Sequence, residues 1–188
     1  MTSRWLVDAT AGTDVRIEWR NLSLLVVNED KEIPEQYRPA LEASRAAHRI
    51  IAALRSDDRT DVIGDFYTEW GRRFHHDRVT PGPSLAKDIA AAVGAQQWAD
   101  AADDAAWDAV VEASTREGQQ LAGGSDIGSP VVALGEPRVG IFGPIVSPPP
   151  TGEDAVKLLD HVVATITMPG FYELKRGRND GPQLGKRP

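Results

Sequence analysis

Four histidines are the residues of this sequence that first suggest metal chemistry: His48, His75, His76 and His161. Only His75 and His76 are close in sequence, and they lie in a segment whose apolar spacing predicts a helix. Neighbouring residues on a helix point about 100° apart, so these two side chains do not converge on one ion. We therefore predict no metal site.

Neither thiol chemistry nor a hydrolase site is indicated. The 188 residues contain no cysteine, which excludes disulfides, zinc–thiolate sites and thiol catalysis within them. The acidic pairs Asp57–Asp58, Asp103–Asp104 and Glu153–Asp154 fall at predicted helix starts, where carboxylates stabilise the helix dipole. No Walker loop, GxGxxG or GxSxG motif occurs, and spacing pairs no nucleophile with a base. The sequence therefore predicts no catalytic residue within these 188 residues.

The elements that would position a site follow from the spacing of apolar residues. Residues 3–10 place theirs on one helical face, residues 15–20 alternate like a half-buried strand, and LSLLVV is apolar like a strand covered on both faces. Between residues 35 and 121, successive apolar stripes of helical spacing predict helices only. The segments VVAL and RVGIF then predict a hairpin, and a helix with Thr151 as its N-cap follows.

This order of elements is helix, strand, helical block, hairpin and helix. With one strand placed before the first helix, it becomes the order of a thioredoxin fold with a helical insertion. We therefore predict an α/β, thioredoxin-like fold whose first strand is missing from these residues. Residues 1–34 and 122–188 would form the thioredoxin-like domain, and residues 35–121 an all-helical insertion.

The dipeptide Ser129–Pro130 stands at the entry to the segment VVAL, where a strand normally needs a backbone N–H. One interpretation is a proline that opens the strand through a trans peptide bond. In a thioredoxin-like order of elements, the same position holds a cis-proline beside the redox helix. We predict the cis bond, which is costly enough to mark a shaped site when it occurs.

Composition limits the classes of partner. A net charge of −7 argues against broad nucleic-acid binding, because contact with phosphates needs a basic surface. No apolar run approaches the ~20 residues of a membrane span, and no secretory signal pattern is present. We therefore predict a cytoplasmic protein that binds neither nucleic acid nor membrane.

Several segments together resemble one family. They occur in the order expected of the actinobacterial DsbA-like family of mycothiol-dependent reductases, which includes nitroreductases: TSRWL, LSLLVVNED, IPEQYRPAL, DIGSPVVAL, FGPIVS and FYELKRGR. The resemblance covers nearly the whole chain. It implies a reductase whose nucleophilic cysteine lies in a Cys-Pro-Trp-x (CxxC-type) motif before a helix like TSRWL, with mycothiol as the source of reducing equivalents through a mixed disulfide.

The resemblance also implies candidate substrate-binding residues. Asn28 and Tyr37 match positions of the family's substrate pocket, and Ser129–Pro130 matches its cis-proline dipeptide with serine in place of threonine. Trp5 matches a tryptophan of the first helix, and His75 a histidine of the insertion. For all but the Ser–Pro dipeptide, a packing role is the alternative interpretation.

The first methionine falls just downstream of where the family's cysteine motif would end, so we expect an N-terminally truncated member, inactive as given. Its partners would be a small-molecule thiol and a disulfide or nitroaromatic substrate, and a homodimer is left open. Two alternatives remain. One is a non-catalytic protein that binds a thiol or aromatic ligand. The other is a glutathione-transferase-like or isomerase-like member of the same fold.

Overall fold

The computed structural model describes residues 1–82, 84–177 and 179–188, and helices predominate among them. The α-helices are α1 (Thr2–Thr10), α2 (Leu24–Val27), α3 (Arg38–Ser56), α4 (Thr60–Gly71), α5 (Leu85–Ala92), α6 (Asp108–Leu121) and α7 (Glu153–Ile166). Shorter turns are the 3₁₀ segments Glu35–Tyr37, Gln96–Asp103 and Ala105–Trp107, and the π turn Arg72–His76. Strands β1 (Val131–Leu134) and β2 (Val139–Phe142) form an antiparallel hairpin. The described chain is thus mostly helical with a small sheet, consistent with the α/β class. None of its described helices combines the length and apolarity that a membrane span requires.

The chain divides into two compact units. The hairpin unit comprises Met1–Ile17 with Gly118–Arg187, and the helical unit comprises Glu18–Glu117, to which Pro188 is also assigned. The boundaries predicted from the sequence, 34/35 and 121/122, stay a prediction. The described residues between 35 and 121 form helical elements, and none of them forms a strand.

The helical unit is built around the apolar faces that the sequence pattern indicates. Side chains of α3, α4 and α5 and of the segment Gln96–Asp103 share one core, which includes Ile50, Leu54, Ile63, Phe66, Leu85, Ile89 and Trp98. Gly64 allows the Trp19 indole to lie against α4, because a β-carbon there would be 3.0 Å from the indole nitrogen. These helices form because each buries a continuous apolar stripe against its neighbours.

The hairpin unit has a second core between α1, α7 and the hairpin. Trp5 is fully buried in it, with Ala155, Val162 and Ile166 of α7, and its ring N–H donates to the Ala155 carbonyl at 2.9 Å. The hairpin occurs where VVAL and RVGIF predict it. The Ser129–Pro130 peptide bond is cis, as predicted.

Two predicted strands are wrong. Residues 15–20 have no partner strand in the described chain, and within LSLLVV the residues Leu24–Val27 form the single helical turn α2. Side chains take the place of a neighbouring strand along this segment. The carbonyl oxygen of Trp19 accepts from Arg55 at 3.1 Å, and the backbone N–H of Ser23 donates to the Thr115 hydroxyl at 3.0 Å. Because side chains from α3 and α6 satisfy these backbone groups, the segment does not need a sheet.

The predicted N-cap of the last helix is also wrong. Helix α7 begins at Glu153. Its N-cap is Gly152, which has a positive φ of 59° and, as a glycine, has no side chain with which to cap the helix. The Asp8 carboxylate instead accepts from the backbone N–H of Gly152 at 2.7 Å. An acidic residue distant in sequence therefore adds to the negative charge that Glu153 and Asp154 already bring to this helix start.

Candidate functional site

A cavity of about 330 Å³ opens on the helical unit between α2 and the start of α3. Five lining residues are apolar and four can hydrogen-bond: Leu24, Ile33, Pro34, Ala40 and Leu41, and Asn28, Lys31, Glu32 and Tyr37. Apolar walls with a few polar groups at the edge are typical of small-molecule sites. The cavity therefore suits a ligand with an apolar body and limited hydrogen-bonding capacity.

Asn28 organises one wall of this cavity. Its backbone N–H donates to the Leu24 carbonyl at 3.1 Å, and its side-chain amide donates to the same oxygen at 2.8 Å, which ends α2. The side-chain oxygen of Asn28 accepts from the Lys31 ammonium at 3.1 Å. Both ends of the carboxamide are thus bonded to the chain, so Asn28 shapes the turn that carries Lys31 and Glu32.

Tyr37 also lines the cavity. Its backbone N–H donates to the Pro34 carbonyl at 2.9 Å, which closes the 3₁₀ turn leading into α3. The side chain is 55% exposed, and no hydrogen bond to its hydroxyl occurs among the described residues. The phenol is therefore available to a ligand as a donor or an acceptor.

His75 lies elsewhere in the helical unit, on the π turn Arg72–His76. Its ring meets that of Phe74 edge-on at 4.9 Å, and Phe74 stacks on Trp70 at 5.9 Å. Burial lowers the pKa of His75, and the neighbouring His76 lowers it further. The neutral imidazole is thus favoured as part of an aromatic cluster, and His75 does not line the cavity.

Glu69 holds this π turn in place. Its two carboxylate oxygens accept from the Nε atoms of Arg72 and Arg73, both at 2.6 Å. Hydrogen bonds from Arg72 and Arg73 lower the pKa of Glu69. The Glu69 side chain is only 14% exposed, and the hydrogen bonds from the two arginines outweigh the desolvation that would raise its pKa.

Three predicted site residues belong to the hairpin unit. Trp5 has no exposed surface and donates its ring N–H to α7, which is the contact pattern of a packing residue. The Pro130 carbonyl accepts from the Gly143 backbone at 2.8 Å, which extends the hairpin beyond β1. Ser129 immediately precedes this bond and is exposed. Of the six predicted residues, the structure brings Asn28 and Tyr37 into one cavity.

Lys31, Glu32 and the apolar lining residues were not predicted as site residues from the sequence. The spacing of Asn28 and Lys31, three residues apart after a helical turn, is the signal that could have found the lysine. It was obscured because Leu24–Val27 was assigned to a strand, in which residues three apart point to opposite faces. Among the described residues, no three His, Asp or Glu side chains are grouped as metal ligands.

Comparison with known families confirms part of the predicted resemblance. Residues 1–176 match the family described as Rv2466c-like, mycothiol-dependent nitroreductase Rv2466c. The match includes every element from α1 to α7 and all six predicted site residues. The chain therefore belongs to the Rv2466c-like family of mycothiol-dependent nitroreductases.

Proposed function

We propose that this protein functions in the mycothiol-dependent reduction of nitroaromatic or disulfide compounds. The match of residues 1–176 to a family of that description is the observation that carries the proposal. A cytoplasmic location and a thioredoxin-like arrangement, with residues 35–121 as an insertion, belong to the same proposal. Mycothiol would act as the cosubstrate that supplies electrons, and a nitro compound or disulfide would accept them.

The 188 residues would bind the small molecule without carrying out thiol–disulfide exchange themselves. Exchange begins with the attack of a thiolate, and these residues include no cysteine. The cavity, by contrast, needs no thiol to hold a ligand. A cavity without a cysteine supports ligand binding as the second candidate function. In that case the chain binds a thiol or aromatic compound without catalysing its reduction.

The cavity suggests how a nitroaromatic would bind. The side chains of Leu24, Ile33 and Leu41 would cover an aromatic ring, and the free Tyr37 hydroxyl would donate to a nitro oxygen. The Lys31 ammonium, which Asn28 orients, would donate a hydrogen bond to the second nitro oxygen. Ser129, Pro130, Trp5 and His75, which do not line this cavity, remain proposed substrate-binding residues on the family resemblance alone.

Titration calorimetry with 4-nitrobenzyl alcohol and with mycothiol disulfide tests this site. Tyr37→Phe removes only the hydroxyl, and the loss of one hydrogen bond predicts about two- to tenfold weaker binding of the nitro compound. Tyr172→Phe is the matched control, because Tyr172 is 89% exposed and outside the cavity. Equal affinities for the wild type and Tyr37→Phe would contradict the proposed binding mode.

A coupled assay with mycothiol and its NADPH-dependent reductase tests whether the chain catalyses reduction of the nitro compound. We expect these 188 residues to bind the nitro compound and to show no turnover above the rate with mycothiol alone. Mycothiol-dependent turnover by the cysteine-free chain would refute the assignment of exchange to a cysteine. Absence of binding as well as of turnover would contradict the binding function.

A further inference from the structure

The chain enters the cavity wall through residues 21–23, a short polar segment that is buried. Asn21 and Ser23 each keep only 3% of their surface exposed. Polar groups at this depth need hydrogen-bond partners within the protein. Those partners come from α3 and α6, so packing against two helices fixes the place of this segment.

Asn21 contacts His48 of α3 through both ends of its carboxamide. The side-chain nitrogen donates to the His48 backbone carbonyl at 3.2 Å, and the side-chain oxygen lies 3.0 Å from the imidazole Nδ1. A carbonyl oxygen only accepts, so the amide nitrogen faces the backbone and the amide oxygen faces the ring. Nδ1 therefore carries the proton of the neutral imidazole, and the two residues form a closed hydrogen-bonded pair.

Helix α6 binds the backbone of the same segment. The Ser114 hydroxyl donates to the Asn21 carbonyl at 2.8 Å, and the Thr115 hydroxyl accepts from the Ser23 N–H at 3.0 Å. Thr115 is fully buried, and its hydroxyl donates in turn to the Val111 carbonyl at 2.8 Å. Both ends of the segment are therefore held by side chains of α6.

The place of this segment sets the place of the cavity wall. Ser23 is the N-cap of α2, and its carbonyl accepts from the Val27 N–H at 3.0 Å. Leu24 lines the cavity, and its carbonyl accepts both bonds from Asn28, which in turn accepts from Lys31. A single helical turn has little stability of its own. The contacts before α2 therefore decide where these side chains stand.

We propose that Asn21 and His48 are a positioning pair for the cavity. The pair fixes the entry to α2 and thereby the place of Leu24 and Asn28. Neither Asn21 nor His48 lines the cavity, so the pair acts on a ligand only through the wall. The inference rests on the proposed function in taking this cavity as the ligand site, whereas the positioning itself is a property of the protein without ligand.

Hydrogen exchange of the full chain, followed by NMR, tests the positioning directly. Asn21→Ala removes the carboxamide and keeps the backbone carbonyl that Ser114 binds. The amides of Val27, Asn28 and Lys31 bond within the wall, and we expect them to exchange at least about tenfold faster in this variant. Wild-type exchange of these three amides in folded Asn21→Ala would overturn the proposal.

Thr68→Ala is the matched control. It removes a hydrogen bond of 2.8 Å, from the Thr68 hydroxyl to the Gly64 carbonyl, elsewhere in the helical unit. We expect wild-type exchange of the three wall amides in this control. Equal acceleration by Thr68→Ala and Asn21→Ala would show a general loss of stability and would overturn the specific role of the pair.

Two further measurements decide the question if Asn21→Ala does not fold. His48→Phe keeps a ring and the backbone carbonyl but loses Nδ1, so the same three amides should exchange faster; unchanged exchange would overturn the proposal. In the wild type, nitrogen chemical shifts should show His48 as the tautomer protonated on Nδ1. The tautomer protonated on Nε2 would contradict the pair without any substitution.

Titration calorimetry with 4-nitrobenzyl alcohol connects the pair to the ligand site. We expect about two- to tenfold weaker binding for Asn21→Ala and wild-type affinity for Thr68→Ala. Faster exchange of the wall amides with wild-type affinity would overturn the role of the pair in ligand binding. A wild type that does not bind the nitro compound would contradict the proposed function, while the exchange rates would still decide whether Asn21 and His48 position the wall.

Discussion

The ion pair between Arg49 and Asp108 should contribute strongly to the stability of the helical unit. Arg49 of α3 donates to both carboxylate oxygens of Asp108, at 2.6 and 2.7 Å, and to the Ala102 carbonyl at 3.0 Å. The arginine side chain is only 10% exposed, whereas that of Asp108 is 42% exposed. Asp108→Ala therefore leaves a nearly buried guanidinium with one protein acceptor.

The magnitude follows from this asymmetric exposure. Removing one partner of a fully buried pair costs about 3–5 kcal/mol. Water can reach the half-exposed position of Asp108, so we expect Asp108→Ala to lower the free energy of unfolding by about 2 kcal/mol. Asp103→Ala is the control, because Asp103 is 73% exposed in its pair with Lys87 and should cost below about 1 kcal/mol.

Urea unfolding followed by circular dichroism measures both variants. Arg49→Met added to Asp108→Ala should recover part of the loss, because no charge then remains buried. The Arg49 hydrogen bonds lower the pKa of Asp108 below its ordinary 3.8. The pair's contribution is therefore complete above that pH and is lost as the pH falls through the lowered pKa. Equal costs for Asp108→Ala and Asp103→Ala would refute the reasoning.

Two further perturbations probe the cores of the two units. Trp5→Phe should lower the free energy of unfolding by about 2 kcal/mol, because it removes part of a fully buried side chain and its hydrogen bond to Ala155. An unchanged midpoint in urea unfolding would contradict this prediction. Burial lowers the pKa of His48 from 6.5 to about 4. Stability should therefore fall between pH 6.5 and 4 as the unfolded state takes up the proton, and His48→Gln should reduce that dependence; an equal pH slope in the variant would argue against it.

The helices could be predicted from sequence because their information is local. Apolar residues three to four apart define α3 through α6, and this spacing has one favourable solution, in which the stripe faces a common core. The hairpin was equally accessible, since two short apolar runs flank a Gly-Glu-Pro turn. The π turn Arg72–His76 could not be predicted, because Glu69 pairs there with arginines three and four residues on, a spacing that an ordinary α-helix also allows.

The candidate site was only half accessible from sequence. Asn28 and Tyr37 were nominated through a family resemblance, and they line one cavity. Lys31 was missed because its contact with Asn28 depends on the helical turn Leu24–Val27. The apolar run LSLLVV had predicted a strand at this position. Local spacing cannot distinguish a short helix from a strand in a run that is almost entirely apolar.

By itself, then, the sequence determined which faces are apolar, where the main helices lie and to which family the chain belongs. The tertiary structure decided which groups hydrogen-bond to the backbone N–H and C=O groups of residues 18–23. There, Arg55, Ser114 and Thr115 supply hydrogen bonds that alternation in the sequence would assign to a neighbouring strand. The physical reason is that a polar backbone group requires a partner but does not specify which one, and only the packed chain determines it.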